Sequence, residues 1–265
     1  MSSHSVCFFL LIFIAYILID HITMKKKSLL LPLLLITLFG YAQEAKDIDS
    51  TAIFILDKMG EVIGDLESVT FELKNSADEL DAENNIRKHY STSVISFSGP
   101  NKLLVRTEGE KGKRSFNYDG FYLSYYNYDE NNYVTLEAPE STIAMFDEMN
   151  KNYDFQFPAA DFFYPSFTDD MMEAFDSIKL LGKKTIDGEE CYHIMATNKE
   201  FNVQIWVSNK TYLLPKHFVI IYKNKSNLQY ESTFSNWSLN PNIPNSVFDF
   251  MPPPNARLIS ILKKS

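Results

Sequence analysis

The stretch "KRSFNYDGFYLSYYNYDENNYVTLEAP", residues 113–139, decides the fold class. Asp-Gly flanked by alternating aromatic residues is a strong local signal for a two-residue β-hairpin. Asp119-Gly120 therefore predicts a tight turn with Tyr118 opposite Phe121 and Phe116 opposite Leu123. Successive side chains of a strand point to opposite faces. One face then carries Phe116, Tyr118, Phe121, Leu123 and Tyr125, and the other Ser115, Asn117, Tyr122, Ser124 and Tyr126. A second turn at 129–132 sends the chain back through Tyr133 and Thr135. The product is an antiparallel meander that is greasy on one side, and a one-sided sheet must bury that side against something.

Towards the N-terminus the strand pattern continues through "NKLLVRTEG", "HYSTSVISF" and "SVTFELK", with a turn at Gly99-Pro100. Before them, Ile48, Ala52, Ile55, Met59 and Val62 (or Ile63) recur at helical spacing. Asp49 and Ser50 are cap candidates for that helix, and Gly60 and Gly64 are expected to mark its end. Towards the C-terminus, residues 139–176 break the β pattern. Ile143, Phe146 and Met149 predict one helix, and "FPAADFFYP" and "FTDDMMEAF" two short helical pieces. Strands then resume, with a second Asp-Gly hairpin at Asp187-Gly188. Phe201, Val203, Ile205 and Val207 alternate there against Asn202, Gln204 and Trp206. "LQYESTFSNWSL" is the last long strand, and "FDFMPPPNARLISI" a Pro-rich crossing with a short terminal strand. The expected class is α+β: a single curved antiparallel β-sheet of about 10–11 strands, with the helical insert covering its concave apolar face.

Residues 21–47 place the protein outside the cytoplasm. Lys25, Lys26 and Lys27 precede an apolar run, Leu29 to Phe39, and Gly40 and Ala42 stand at the −3 and −1 places of a cut before Gln43. That order is a secretory signal. The earlier apolar run, Val6 to Ile19, is shorter than the roughly 20 residues a bilayer span takes. We read Met24 as the start, the rival reading being a real leading membrane segment before it, with residues 1–42 as leader and 43–265 as one domain with no stable membrane span. Removing the leader's three lysines and Asp20 leaves 22 basic and 33 acidic residues. Such an acidic chain is a poor partner for nucleic acid or for a polybasic membrane contact. The mature chain keeps one cysteine, Cys191, and so forms no internal disulfide.

Chemistry is sparse in the pattern. Cys191-x-His193 has no second Cys or His pair to complete a metal site, and a free Cys usually behaves as a small buried hydrophobe. Asp147-Glu148, Asp169-Asp170 and Glu189-Glu190 are adjacent, not convergent, and read as solvated faces or caps. No nucleophile elbow, zinc-protease helix or phosphate loop is present. No catalytic residue, metal or cofactor is therefore assigned.

The blocks "YDGFYLSYYNYDENNYVTLEAPES" (118–141), "FPAADFF" (157–163), "IDGEECYHI" (186–194), "VQIWVSNKTYLLPKHFVI" (203–220) and "FDFMPPPNARLI" (248–259) resemble, in order and spacing, a family of predicted periplasmic proteins. That family lies in the LolA/LolB-like lipoprotein-carrier superfamily. The resemblance implies an unclosed antiparallel half-barrel with helices over an apolar cavity, and lipid or the acyl chain of a lipoprotein as ligand. It implies no catalytic residues. The expected cavity residues are Phe116, Tyr118, Phe121 and Leu123 on the hairpin, Phe146, Met149, Phe155, Phe157, Phe162 and Phe163 on the insert, and Trp206. The expected function is non-enzymatic lipid binding or carriage in the periplasm. The rivals are an envelope-stress sensor that binds a protein partner through the same fold, and a hydrolase.

Overall fold

The computed structural model describes residues 46–264. The leader, its cut before Gln43, the Met24 start and Cys7 lie outside them. The chain opens with β1 (Asp47–Ile48) and helix α1 (Ser50–Gly64). Asp49 caps α1: its Oδ1 accepts from the backbone N–H of Thr51 (2.7 Å) and Ala52 (3.3 Å). The predicted helix is present and its apolar stripe ends on Ile63, but Ile48 lies in β1 ahead of it and Gly60 lies inside it. Six strands follow: β2 (Ser68–Leu80), β3 (Ile86–Ser98), β4 (Lys102–Gly109), β5 (Gly112–Tyr118), β6 (Tyr122–Asn127) and β7 (Asn132–Glu137). The insert contains α2 (Thr142–Tyr153), one turn of 3-10 helix at Ala160–Phe163 and α3 (Phe167–Ala174). The second set is β8 (Ser177–Ile186), β9 (Glu189–Thr197), β10 (Phe201–Ser208), β11 (Pro215–Tyr222), β12 (Leu228–Leu239) and the two-residue β13 (Arg257–Leu258).

All thirteen strands form one unclosed sheet, ordered β1-β8-β9-β10-β11-β12-β2-β3-β4-β5-β6-β7-β13. Pairing is antiparallel except at the edges, where β1 joins β8 and β13 joins β7 in parallel. Two meanders thus meet side by side at β12 and β2. This order explains the insert. β7 ends near one edge and β8 begins near the other, so the chain must cross a whole face of the sheet. The insert makes that crossing, and its aromatic rings touch strands along the way. Phe155 and Phe157 meet Phe116 on β5. Phe163 meets Phe71 and Phe97 on β2 and β3. Phe162 meets Phe218 and Phe234 on β11 and β12. The C-terminal stretch returns on the opposite face, where Phe250 packs on Tyr126 and Tyr133.

The two Asp-Gly hairpins behave differently. Asp187 (φ 48°) and Gly188 (φ 75°) are both left-handed, and Ile186 pairs with Glu189, as a type I′ turn requires. At Asp119-Gly120 only Gly120 is left-handed (φ 100°). The Asp119 carboxylate accepts the N–H groups of Phe121 (2.9 Å) and Tyr122 (2.8 Å), which would otherwise enter the ladder. The turn is longer than expected, and Tyr118 pairs with Leu123 and Phe116 with Tyr125. This two-residue slip keeps every side chain on its predicted face except Phe121, which is left in the turn and 64% exposed.

Candidate functional site

The inner face of the sheet, the one the insert covers, changes chemistry along its strands. On β2 it runs Val69, Phe71, Leu73 and then Asn75, Ala77, Glu79. On β3 the paired positions are Phe97, Ile95 and then Ser93, Ser91, His89. β4 runs Leu103, Val105 and then Thr107, Gly109; β5 runs Tyr118, Phe116 and then Arg114, Gly112. β12 changes from Phe234 to Ser232, which sit opposite Leu73 and Asn75. The switch falls at one level on β3, β4 and β5 and one residue pair further along on β2 and β12, where Leu73 still faces Ser93. The apolar half is closed by α1, α3 and the 3-10 turn into one core. The polar half lies beside it under the stretch between α2 and the 3-10 turn.

There a cavity of about 790 Å³ opens, within the range of roughly 300–1,000 Å³ usual for ligand pockets. One wall is aromatic. The Phe116 ring lies 5.2 Å from Phe155 and 5.2 Å from Phe157, edge to face, and Phe157 lies 4.9 Å from Phe146. The roof between α2 and the 3-10 turn bends through two left-handed residues, Asp154 (φ 61°) and Ala159 (φ 59°). It is tied to α2 by the Tyr164 hydroxyl, which donates to Asp147 (2.8 Å).

The polar floor is hydrogen-bonded within itself. The Ser93 and Thr107 hydroxyls are 2.9 Å apart. Asn75 Oδ1 accepts from the Tyr230 hydroxyl (3.2 Å) and from Ser232. At the rim Lys111 donates to Glu79, holding that carboxyl below its ordinary range. His89 bridges Glu110 (3.0 Å) and Glu79 (3.8 Å). Asp161 is exposed to the cavity, yet the surrounding walls strip its hydration and raise its pKa.

Of the residues expected in the cavity, the structure brings Phe116, Phe146, Phe155 and Phe157 together on its wall. Tyr118, Leu123, Met149, Phe162 and Phe163 belong to the adjoining core. The Tyr118 hydroxyl donates to the Pro139 carbonyl, and burial pushes its pKa up to about 12. Phe121 and Trp206 are in neither place. Phe121 is in the turn, as described. Trp206 stands on the outer face, its parity opposite to Ile205 and Val207. It stacks at 4.2 Å on His193 and meets His217 at 5.0 Å. The polar lining, including Asn75, Glu79, Ser93, Thr107, Arg114 and Tyr230, was not anticipated. Its signal is in the sequence: the inward positions of β2, β3, β4, β5 and β12 turn polar within one residue pair of each other. That match becomes visible only once the strands are in register.

The other candidate groups do not converge. Cys191 is fully buried, and burial pushes its thiol up to about 11, so it stays protonated at neutral pH. His193 Nε2 is engaged by Gln204 (2.9 Å), not by Cys191. Glu189 and Glu190 pair with Lys210 and Lys183. Asp169 and Asp170 lie in the first turn of α3. Among the described residues no group of three His, Cys, Asp or Glu could hold a metal ion, and no helix is long and apolar enough to cross a membrane.

The profile of one family, the predicted periplasmic proteins of DUF2092, matches residues 52–262. The chain belongs to this family. Its location is accordingly the periplasm. No curated protein matches it. Similar solved structures include an uncharacterised conserved protein from Thermus thermophilus, at 10% identity and a TM-score of 0.46, over 79% of this chain and 99% of that one. The lipoprotein LppX of Mycobacterium tuberculosis is similar at 12% identity and 0.44, over 74% and 98%. A LolA superfamily protein of Nitrosomonas europaea is similar at 13% identity and 0.36, over 75% and 97%. These likenesses describe the fold alone.

Proposed function

We propose that this family member is a non-enzymatic periplasmic binding protein that holds the acyl chain of a lipid or lipoprotein. The observation that carries this reading is the cavity of about 790 Å³, walled by Phe116, Phe146, Phe155 and Phe157 under a crossing insert. Each methylene buried against such a wall contributes about 0.8 kcal/mol, so a long chain binds without specific polar contacts. The insert is the part that must move to admit it, as covering segments do elsewhere. Among the described residues Cys191 is buried and protonated and the carboxylates are dispersed, which supports binding over hydrolysis.

The test is titration of delipidated protein with a fluorescent acyl probe. Binding should saturate. Phe155→Gln and Phe157→Gln should each weaken it several-fold, and Phe121→Ala should leave it unchanged. Absence of saturable binding sinks the reading. Capture of an envelope protein by lipid-free protein would then favour the sensor role.

A further inference from the structure

Arg114 stands where the inner face turns polar. It pairs with Thr107 on β4 and precedes Phe116 by two residues on β5, so it shares a face with that ring, roughly 7 Å along the strand. It lines the cavity and is half-buried. Its neighbours Lys111 and Lys113 are paired with Glu79 and Glu108. Arg114 makes no ion pair and no side-chain hydrogen bond among the described residues. The cavity's carboxylates are committed or distant. Glu79 serves Lys111, Asp147 accepts from Tyr164, and Asp161 lies on the β11–β12 side, where its charge acts on Tyr222 and Tyr230. On the inner face Arg114 sits between Thr107 on β4 and Asn127 on β6, and the cavity lining towards β3 is small: Ser91, Ser93, Thr107, Gly109 and Gly112. The planar fork of a guanidinium matches carboxylate and phosphate oxygens.

We infer that the cavity takes an anionic amphiphile, whose carboxylate or phosphate head pairs with Arg114 while its chain lies along Phe116, Phe155 and Phe157. The inference rests on the acyl-chain reading and adds the head group to it. It is tested by titrating the mature protein at neutral pH with laurate, dodecyl phosphate and dodecanol, which share one chain, and with inorganic phosphate. The two anions should bind at least about tenfold tighter than the alcohol, as a charge-assisted pair implies. Arg114→Gln should erase that preference by weakening laurate and dodecyl phosphate to the level of dodecanol, and Arg114→Lys should keep part of it. Equal binding of all three by the unaltered protein, or a preference that survives Arg114→Gln, overturns the head-group inference and spares the acyl-chain reading. Failure of all three to bind overturns both. Inorganic phosphate binding as tightly as dodecyl phosphate would show a free-anion site and overturn the amphiphile.

Discussion

Phe162 belongs to the core beside the cavity, and its removal tests where the boundary between the two lies. The ring is 5% exposed and packs 5.1 Å from Phe167, 5.5 Å from Phe218 and 5.5 Å from Phe234. Buried Phe→Ala substitutions cost about 3–5 kcal/mol, and each aromatic pair adds about 0.5–1.5 kcal/mol beyond area burial. With three aromatic partners Phe162→Ala should cost about 4 kcal/mol, a large fraction of the roughly 5–15 kcal/mol that holds a domain folded. For a domain of this size the urea slope is near the top of the usual range, about 2.5 kcal/mol/M, so the unfolding midpoint should fall by about 1.5 M. The comparison is Phe155→Ala, which removes a half-buried ring from the cavity wall. It should move the midpoint by less than about 0.6 M, since partial burial scales the loss, while weakening acyl-probe binding. The boundary would be misplaced if Phe162→Ala shifted the midpoint by under about 0.4 M and lowered probe affinity instead.

Two further outcomes are expected. Burial lowers the pKa of His193 and of His217 below 6.5. Between the folded and unfolded values the unfolded chain then holds more protons, so stability is fully present above about pH 6.5 and falls as the pH drops below it. Replacing both histidines with Gln should flatten that fall between about pH 5 and 7, read from urea midpoints, before the carboxylates titrate; an unchanged slope would refute it. Gly112 has φ 92°, and an added Cβ would meet Asp129 Oδ2 at 2.1 Å. Gly112→Ala should therefore lower stability by about 1–3 kcal/mol, seen as a lower melting temperature, and a neutral effect would contradict the β4–β5 turn geometry.

Local patterns were legible where local chemistry controls them. Asp49 and the stripe Ala52, Ile55, Met59 gave α1, and Asp187-Gly188 gave its hairpin, because caps and turns depend on neighbours in sequence. Phe121 misled because the Asp119 side chain competes with the ladder for two N–H groups, which no alternation pattern reveals. Trp206 is instructive in another way. Its alternation with Ile205 and Val207 already set it on the outer face, and only its size suggested the cavity. The meeting of β12 with β2, which aligns Ser232 with Asn75, joins residues far apart in sequence, and nothing local encodes it. The polar half of the cavity depends on that pairing, so it stayed hidden while its aromatic wall did not.

The unclosed sheet has a consequence at its borders. β8 is ten residues long, but β1 covers only Ser177 and Ile178. The remaining rim offers unpaired backbone, the kind of edge that templates aggregation. Here it is broken by a bulge between Leu180 and Lys183, with Gly182 at φ 89°, and it carries Lys179, Lys183 and Lys184 in the solvent. Charge and kink together deter both self-closure and recruitment of a second chain's strand. The sheet can therefore keep an open border without that border becoming a seed for fibrils.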